Sequence, residues 1–204
     1  EIAGGTVSGN KYGNGNGYGI YNKNAGTVKV TEGTVSGSGS SDDGYGIYNG
    51  STVTVTGGTI SGDDYGIYNA STGTVEVIGG TISSSDCGIY NDGRITIGIK
   101  KDEQISQEEP YIIGKSSSSS YDGYGIRNSR GKLYYYDGKI EGSTKGISGN
   151  ITEIEDNTEL LITKDETEVI QLEAKETNVA RVNGVEYDSI QKAVKACGET
   201  ESTI

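Results

Sequence analysis

The sequence predicts an all-β fold: a right-handed, single-stranded parallel β-helix of about six rungs, with a β-rich C-terminal extension and one short helix. Three observations carry this expectation. A Gly-Ile pair recurs at Gly19-Ile20, Gly46-Ile47, Gly66-Ile67, Gly88-Ile89, Gly125-Ile126 and, more weakly, Gly146-Ile147, in steps of 27, 20, 22, 37 and 21 residues. Each repeat holds three short runs of apolar and polar alternation, separated by Gly, Ser, Asn and Asp, the pattern of strands joined by turns. A unit of about 20 residues with three short strands is too small to bury its own apolar face, so it must stack on copies of itself.

The three strands follow from three phrases. In the first, asparagine stands two residues after the isoleucine, at Asn22, Asn49, Asn69, Asn91 and Asn128. Alternation puts these side chains on the isoleucine side, where stacking predicts an amide ladder, each hydrogen-bonded to the next rung. The second phrase gives Val28 and Val30, Val53 and Val55, Val75 and Val77, Ile95 and Ile97, then Leu133 and Tyr135. The third is Gly-Thr-Val/Ile-Ser, centred on Val7, Val35, Ile60 and Ile82, with degenerate copies at Tyr111-Ile112-Ile113-Gly114 and Gly138-Lys139-Ile140-Glu141-Gly142. A thin coil needs only one or two inward side chains per strand. This reconciles folding with a chain in which Leu, Ile, Val and Phe make up just under the fifth that usually marks disorder.

The repeat domain spans 1–150 and is interrupted where the step lengthens. Ile99 to Glu109 is a charged run without a repeat phrase, followed by the only proline, Pro110, and read as a loop excursion over 99–109 that returns at Tyr111-Ile112-Ile113. Ser116 to Ser120 lengthen the next turn. A β-rich capping or linker segment follows at 151–180, where Ile151 to Ile162 and Glu168 to Glu173 still alternate without the glycine phrases. Residues 181–204 read as the start of a further module. It has a hairpin around Asn183-Gly184 and a helix over 189–197 with a stripe of Ile190, Ala193, Val194 and Cys197, stopped by Gly198. The chain starts mid-phrase at Gly4-Gly5-Thr6-Val7, which predicts membership of a longer polypeptide and an unpaired first rung.

Composition excludes several functions. Glycine supplies 34 of 204 residues, tyrosine 15, and histidine none. Without an imidazole there is no Ser-His-Asp or Cys-His site and no zincin helix. A net charge of -12 opposes phosphate backbones, so nucleic acid is not an expected partner. No apolar run is long enough to span a membrane.

The Gly-Ile-Tyr-Asn and Gly-Gly-Thr-Ile-Ser phrases resemble the repeats of large β-helix surface proteins of Gram-positive, mostly clostridial, bacteria. Further stretches of the same kind are Ile95-Thr96-Ile97-Gly98 with Pro110, Leu133 to Gly138 with Ile140 and Gly142, and Val182-Asn183-Gly184 with Tyr187, Ser189-Ile190-Gln191 and Ala193-Val194. The resemblance covers nearly the whole chain and implies a pectate-lyase-like solenoid at the cell surface or outside the cell. Its motifs specify a rung and not a reaction. The expected function is non-enzymatic, a structural spacer or adhesin-like surface for a glycan or protein partner. The alternative is a polysaccharide lyase or glycoside hydrolase of β-helix type.

Asp42, Asp43, Asp63, Asp64, Asp86 and Asp122 precede Gly-Ile in the turns, where stacking gathers carboxylates suited to glycosidic acid–base work. The Gly-His-Gly and Arg-x-Lys partners of β-helix hydrolases and lyases are missing, so the expectation is turn-forming aspartates, no catalytic residue, no metal site and no cofactor. The outward positions corresponding to Thr52, Thr54 and Thr56 are Thr27, Lys29 and Thr31, then Thr74, Glu76 and Ile78, then Arg94, Thr96 and Gly98, and such mixed charge defeats an ice-matching lattice. Tyr18, Tyr45, Tyr65 and Tyr124, with Cys87 in the same place, are expected on the isoleucine side as corner packing. Tyr21, Tyr48, Tyr68 and Tyr90 follow the isoleucine and should point outward. They form the candidate ligand-binding row, ended by Arg127 and Ser148. Whether Cys87 and Cys197 are bridged stays open.

Overall fold

The computed structural model describes residues 1–10, 15–39, 44–99, 110–116, 123–154, 160–162, 167–171, 180–182 and 185–187. The chain divides into two compact units, Glu1–Leu172 and Glu173–Ile204. The first is a parallel β-solenoid.

Its chain runs through β1 (Ile2–Asn10) and β2 (Gly17–Asn22), β3 (Thr27–Ser38) and β4 (Gly44–Asn49), β5 (Thr52–Gly62) and β6 (Tyr65–Asn69), then β7 (Thr74–Ser84) and β8 (Cys87–Asn91). Two further rungs comprise β9 (Arg94–Ile97), β10 (Tyr111–Gly114) and β11 (Tyr124–Asn128), then β12 (Lys132–Tyr135), β13 (Lys139–Gly142) and β14 (Lys145–Ser148). The Gly-Ile strands form one six-stranded parallel sheet in the order β14-β11-β8-β6-β4-β2, and the other phrases form the second sheet. Like residues pair with like: Ile20, Ile47, Ile67, Ile89, Ile126 and Ile147 occupy one register column. In the first four rungs the second and third phrases are not separate strands. Each pair is one strand bent at a left-handed glycine, Gly5, Gly33, Gly58 or Gly80, with φ of 71, 80, 77 and 82°. Glycine takes that conformation without a Cβ penalty, so a single residue turns the corner.

The interior is a stack of aliphatic columns. Ile47, Ile67, Ile89 and Ile126 from one wall meet Val53 and Val55, Val75 and Val77, Ile95 and Ile97, and Ile60, Ile82, Ile112 and Ile140 from the other, all fully buried. Near the C-terminal end the column Val55, Val77, Ile97 continues through Tyr135, whose buried hydroxyl donates to the Gly138 carbonyl at 2.6 Å. A buried phenol needs such a partner.

Beyond the last rung, β15 (Glu153–Ile154) adds in parallel to β12. Then β16 (Leu160–Ile162) and β17 (Glu168–Gln171) follow, β17 lying antiparallel on β13 and β16 antiparallel on β17. In the second unit β18 (Ala180–Val182) pairs antiparallel with β19 (Val185–Tyr187), the two arms of the expected hairpin. The helix expected over 189–197 with Cys197, excursion residues 100–109, Ser117 to Ser120, and Asp42, Asp43 and Asp122 lie outside the described residues. Among the described residues no helix is long and apolar enough to cross a membrane.

Candidate functional site

The Gly-Ile wall carries the polar and aromatic columns of the repeat. The asparagines form the expected ladder. Asn22 Nδ2 donates to Asn49 Oδ1 at 2.8 Å, Asn49 to Asn69 at 2.9 Å, Asn69 to Asn91 at 2.8 Å and Asn91 to Asn128 at 2.8 Å. Asn128 ends the series on the Asn150 carbonyl. Each amide also reaches a backbone carbonyl, as Asn69 does to Gly73 at 3.2 Å and Arg94 at 3.1 Å. Full satisfaction is what permits five buried asparagines in so small a core.

The tyrosines depart from simple alternation. Tyr21, Tyr48, Tyr68 and Tyr90 stack at 4.9, 5.3 and 4.9 Å between ring centres, with interplanar angles of 24, 6 and 4°. Tyr18, Tyr45 and Tyr65, expected on the isoleucine side, lie against this row. Tyr18 stacks on Tyr45 at 5.0 Å and Tyr45 on Tyr65 at 5.4 Å. Tyr45 and Tyr65 meet Tyr48 and Tyr68 edge-on at 6.3 and 5.7 Å. The result is a two-row plate of seven rings on the outer face.

The glycine before each isoleucine explains the correction. A Cβ on Gly46 would stand 2.8 Å from Ile60 Cγ2, and on Gly66, Gly88 and Gly125 it would stand 2.6, 2.9 and 2.5 Å from the corresponding atoms of Ile82, Ile112 and Ile140. These glycines therefore face inward beside the isoleucine that follows them. Two consecutive residues face the core, the period slips by one, and the tyrosine before glycine turns out. In the fourth rung this position holds Cys87, buried with its Sγ against the Ile89 carbonyl at 3.2 Å.

The plate ends where Arg127 replaces tyrosine, its guanidinium 5.7 Å from the Tyr90 ring centre and 5.9 Å from that of Tyr124. Burial, reinforced by the Asp86 carboxylate, holds the Tyr65 hydroxyl protonated well above the usual phenol range. Burial followed by Asp92 raises Tyr68 in the same direction. Tyr21, on the outermost of these rungs, is the open ring, 49% exposed.

The turn carboxylates have structural partners. Asp63 Oδ2 accepts the Gly39 amide at 3.0 Å, Asp64 Oδ2 the Gly44 amide at 2.5 Å, and Asp86 Oδ1 the Gly123 amide at 3.2 Å. Each bond ties one rung to another, so these groups act as staples between turns. Among the described residues no group of three or more His, Cys, Asp or Glu side chains converges as metal ligands would. Thr54 sits between Lys29 and Glu76 as the phrases implied, but a register shift sets Thr56 opposite Gly79 and not Ile78.

Sequence reasoning missed one feature. A groove of about 430 Å³ runs along the third-phrase wall, lined by Ser36, Ser61, Ser83 and Ser84 with Asp63 and Lys115. The signal was present in the Thr-Val/Ile-Ser phrase, whose serines pair Ser36 to Ser61 to Ser83. No family model, curated protein or solved structure matches this chain.

Proposed function

We propose that this chain is a non-enzymatic module of an extracellular, cell-surface protein, in which the solenoid acts as a spacer and the tyrosine plate as an adhesin-like face for a neutral glycan. The resemblance of the repeat phrases to those of Gram-positive surface proteins supports the placement. Six rungs at roughly 4.8 Å each make a spacer of about 30 Å. The observation that carries the binding role is the plate itself: seven rings fixed by mutual contact before any ligand arrives, which lowers the ordering cost of binding.

The stacking also defines how a ligand would be met. Ring faces in the row are turned toward neighbouring rungs, so a ligand finds edges and hydroxyls along most of the plate. Tyr21 is the exposed ring of the row. The net charge of -12 disfavours uronates and other anions. A glycan array followed by titration tests the reading. Tyr21→Ala and Tyr48→Ala each weaken binding of the selected neutral glycan about fivefold, the factor given by about 1 kcal/mol for an aromatic contact. Unchanged affinity in both variants, with their folding verified by circular dichroism, removes the plate as the binding face.

A further inference from the structure

The third-phrase wall carries a surface of its own. There the residue after the inward Val or Ile is serine, and register stacks these serines into one column: Ser8, Ser36, Ser61 and Ser83. Ser36, Ser61 and Ser83 are half-buried and line the groove of about 430 Å³, a volume within the range of ligand sites. The column stops one rung further on, where Ile113 pairs with Ser83.

The hydroxyls of this column are uncommitted. By contrast, Ser38 Oγ donates to Asn10 Oδ1 at 3.1 Å, and Ser84 Oγ accepts the Asp86 amide at 3.2 Å. Among the described residues the Ser36, Ser61 and Ser83 side chains make no such bond. Each offers one donor and two acceptors to whatever fills the groove. The charge of the lining is balanced, with Asp63 and Lys115 its charged residues among those described, although the whole chain carries -12. A neutral, hydroxyl-rich ligand suits such a lining better than an anion or a cation.

We propose that this groove binds a neutral, extended glycan of β-1,4-linked pyranoses, laid along the solenoid axis with one sugar per rung. The repeat selects the ligand. Serines on neighbouring parallel strands recur at about 4.8 Å. Diequatorial β-1,4 linkages keep a pyranose chain straight and advance it by nearly that interval per sugar, so each ring meets a hydroxyl. An extended peptide presents like-facing side chains about 6.7 Å apart and falls out of step with the column. Ser36, Ser61 and Ser83 supply the three positions, and Ile113 offers the next ring no hydroxyl. The groove lies on a different wall from the tyrosine plate and does not rest on the reading of that plate.

Calorimetric titration of the full chain with β-1,4-linked glucose oligomers tests the site. Affinity should rise about fivefold at each step from glucose to cellotriose, the factor of one neutral hydrogen bond. Maltotriose, whose α-1,4 linkages curl the chain away from the column, should bind no better than glucose. Ser61→Ala and Ser83→Ala remove hydroxyls that bond nothing in the protein, so both should fold as before, checked by circular dichroism, and each should weaken cellotriose binding about fivefold. Thr54→Ala, on the second-phrase wall, should leave it unchanged. Four results would overturn the proposal: no binding of cellotriose, equal binding of maltotriose, unchanged affinity in both serine variants, or binding lost in Tyr48→Ala while the serine variants retain it, which would move the ligand to the plate.

Discussion

In the rungs built on β3, β5 and β7, the chain passes from its Val-x-Val arm to its Thr-Val/Ile-Ser arm through one left-handed glycine, Gly33, Gly58 or Gly80. In the next two rungs the arms are separate strands. In the first of them β9 ends at Ile97 and β10 begins at Tyr111, and in the second β12 ends at Tyr135 and β13 begins at Lys139. Pro110 occupies the bend position, since Tyr111 pairs with Thr81, the residue after Gly80. Its ring fixes φ near −65° and forbids the left-handed bend. Yet the columns on both sides continue without slipping: Ile82 pairs with Ile112 and Ile112 with Ile140, and the amide ladder crosses from Asn91 to Asn128 at 2.8 Å despite the 37-residue step. Register is therefore carried by the stacked side chains and not by the corner. The corner is the place where an insertion is tolerated.

The largest effect expected from this contrast lies in the ladder. Asn69 accepts from Asn49 and donates to Asn91 and to two carbonyls. Asn69→Ala strands several buried groups, each costing about 1–3 kcal/mol, so a loss near 3 kcal/mol is expected in chemical denaturation. Asn128, at the end of the ladder with a single onward bond to Asn150, should cost about half as much when replaced by alanine. Equal losses at the two positions would break the distinction between a central and a terminal rung.

A smaller effect sharpens the comparison of corners. Gly58→Ala must place a side chain at φ 77°, with its Cβ 2.8 Å from the Gly33 carbonyl oxygen. The left-handed conformation alone costs about 1–2 kcal/mol. Pro110→Ala at the equivalent corner relieves no such clash and should change stability by less than about 1 kcal/mol, mainly through the freer unfolded chain. Thermal unfolding of the two variants side by side gives the ranking. A Pro110→Ala loss as large as that of Gly58→Ala would mean that the proline corner also fixes the register.

Much of this was legible in the sequence because it repeats. The spacing of Gly-Ile and Asn set the parallel stack, and two-residue alternation after Ile20 and its equivalents set the amide ladder. Alternation failed one residue before isoleucine. The inward place of Gly46 is filled from across the core by Ile60 Cγ2, a contact between residues that no local pattern reports, and so Tyr45 faces outward. Fusion of the second and third phrases into one bent strand was hidden for a related reason. A glycine between two alternating runs reads equally as a turn or as a bend. At the C-terminal end the alternation of Glu168 to Glu173 pointed to a strand but not to its direction, because a period of two is common to parallel and antiparallel partners. The chain resolves the choice by laying β17 antiparallel on β13.

The central claim is that stacked side-chain columns, not the corners, hold the solenoid together. Native-state amide hydrogen exchange tests it strand by strand. The account predicts that the amides of β4, β6 and β8, which carry Asn49, Asn69 and Asn91 and the tyrosine plate, are the slowest in the molecule. They should exchange together, only through global unfolding. Slowest exchange in β12 and β13, or independent opening of β6 while its neighbours stay closed, would contradict it.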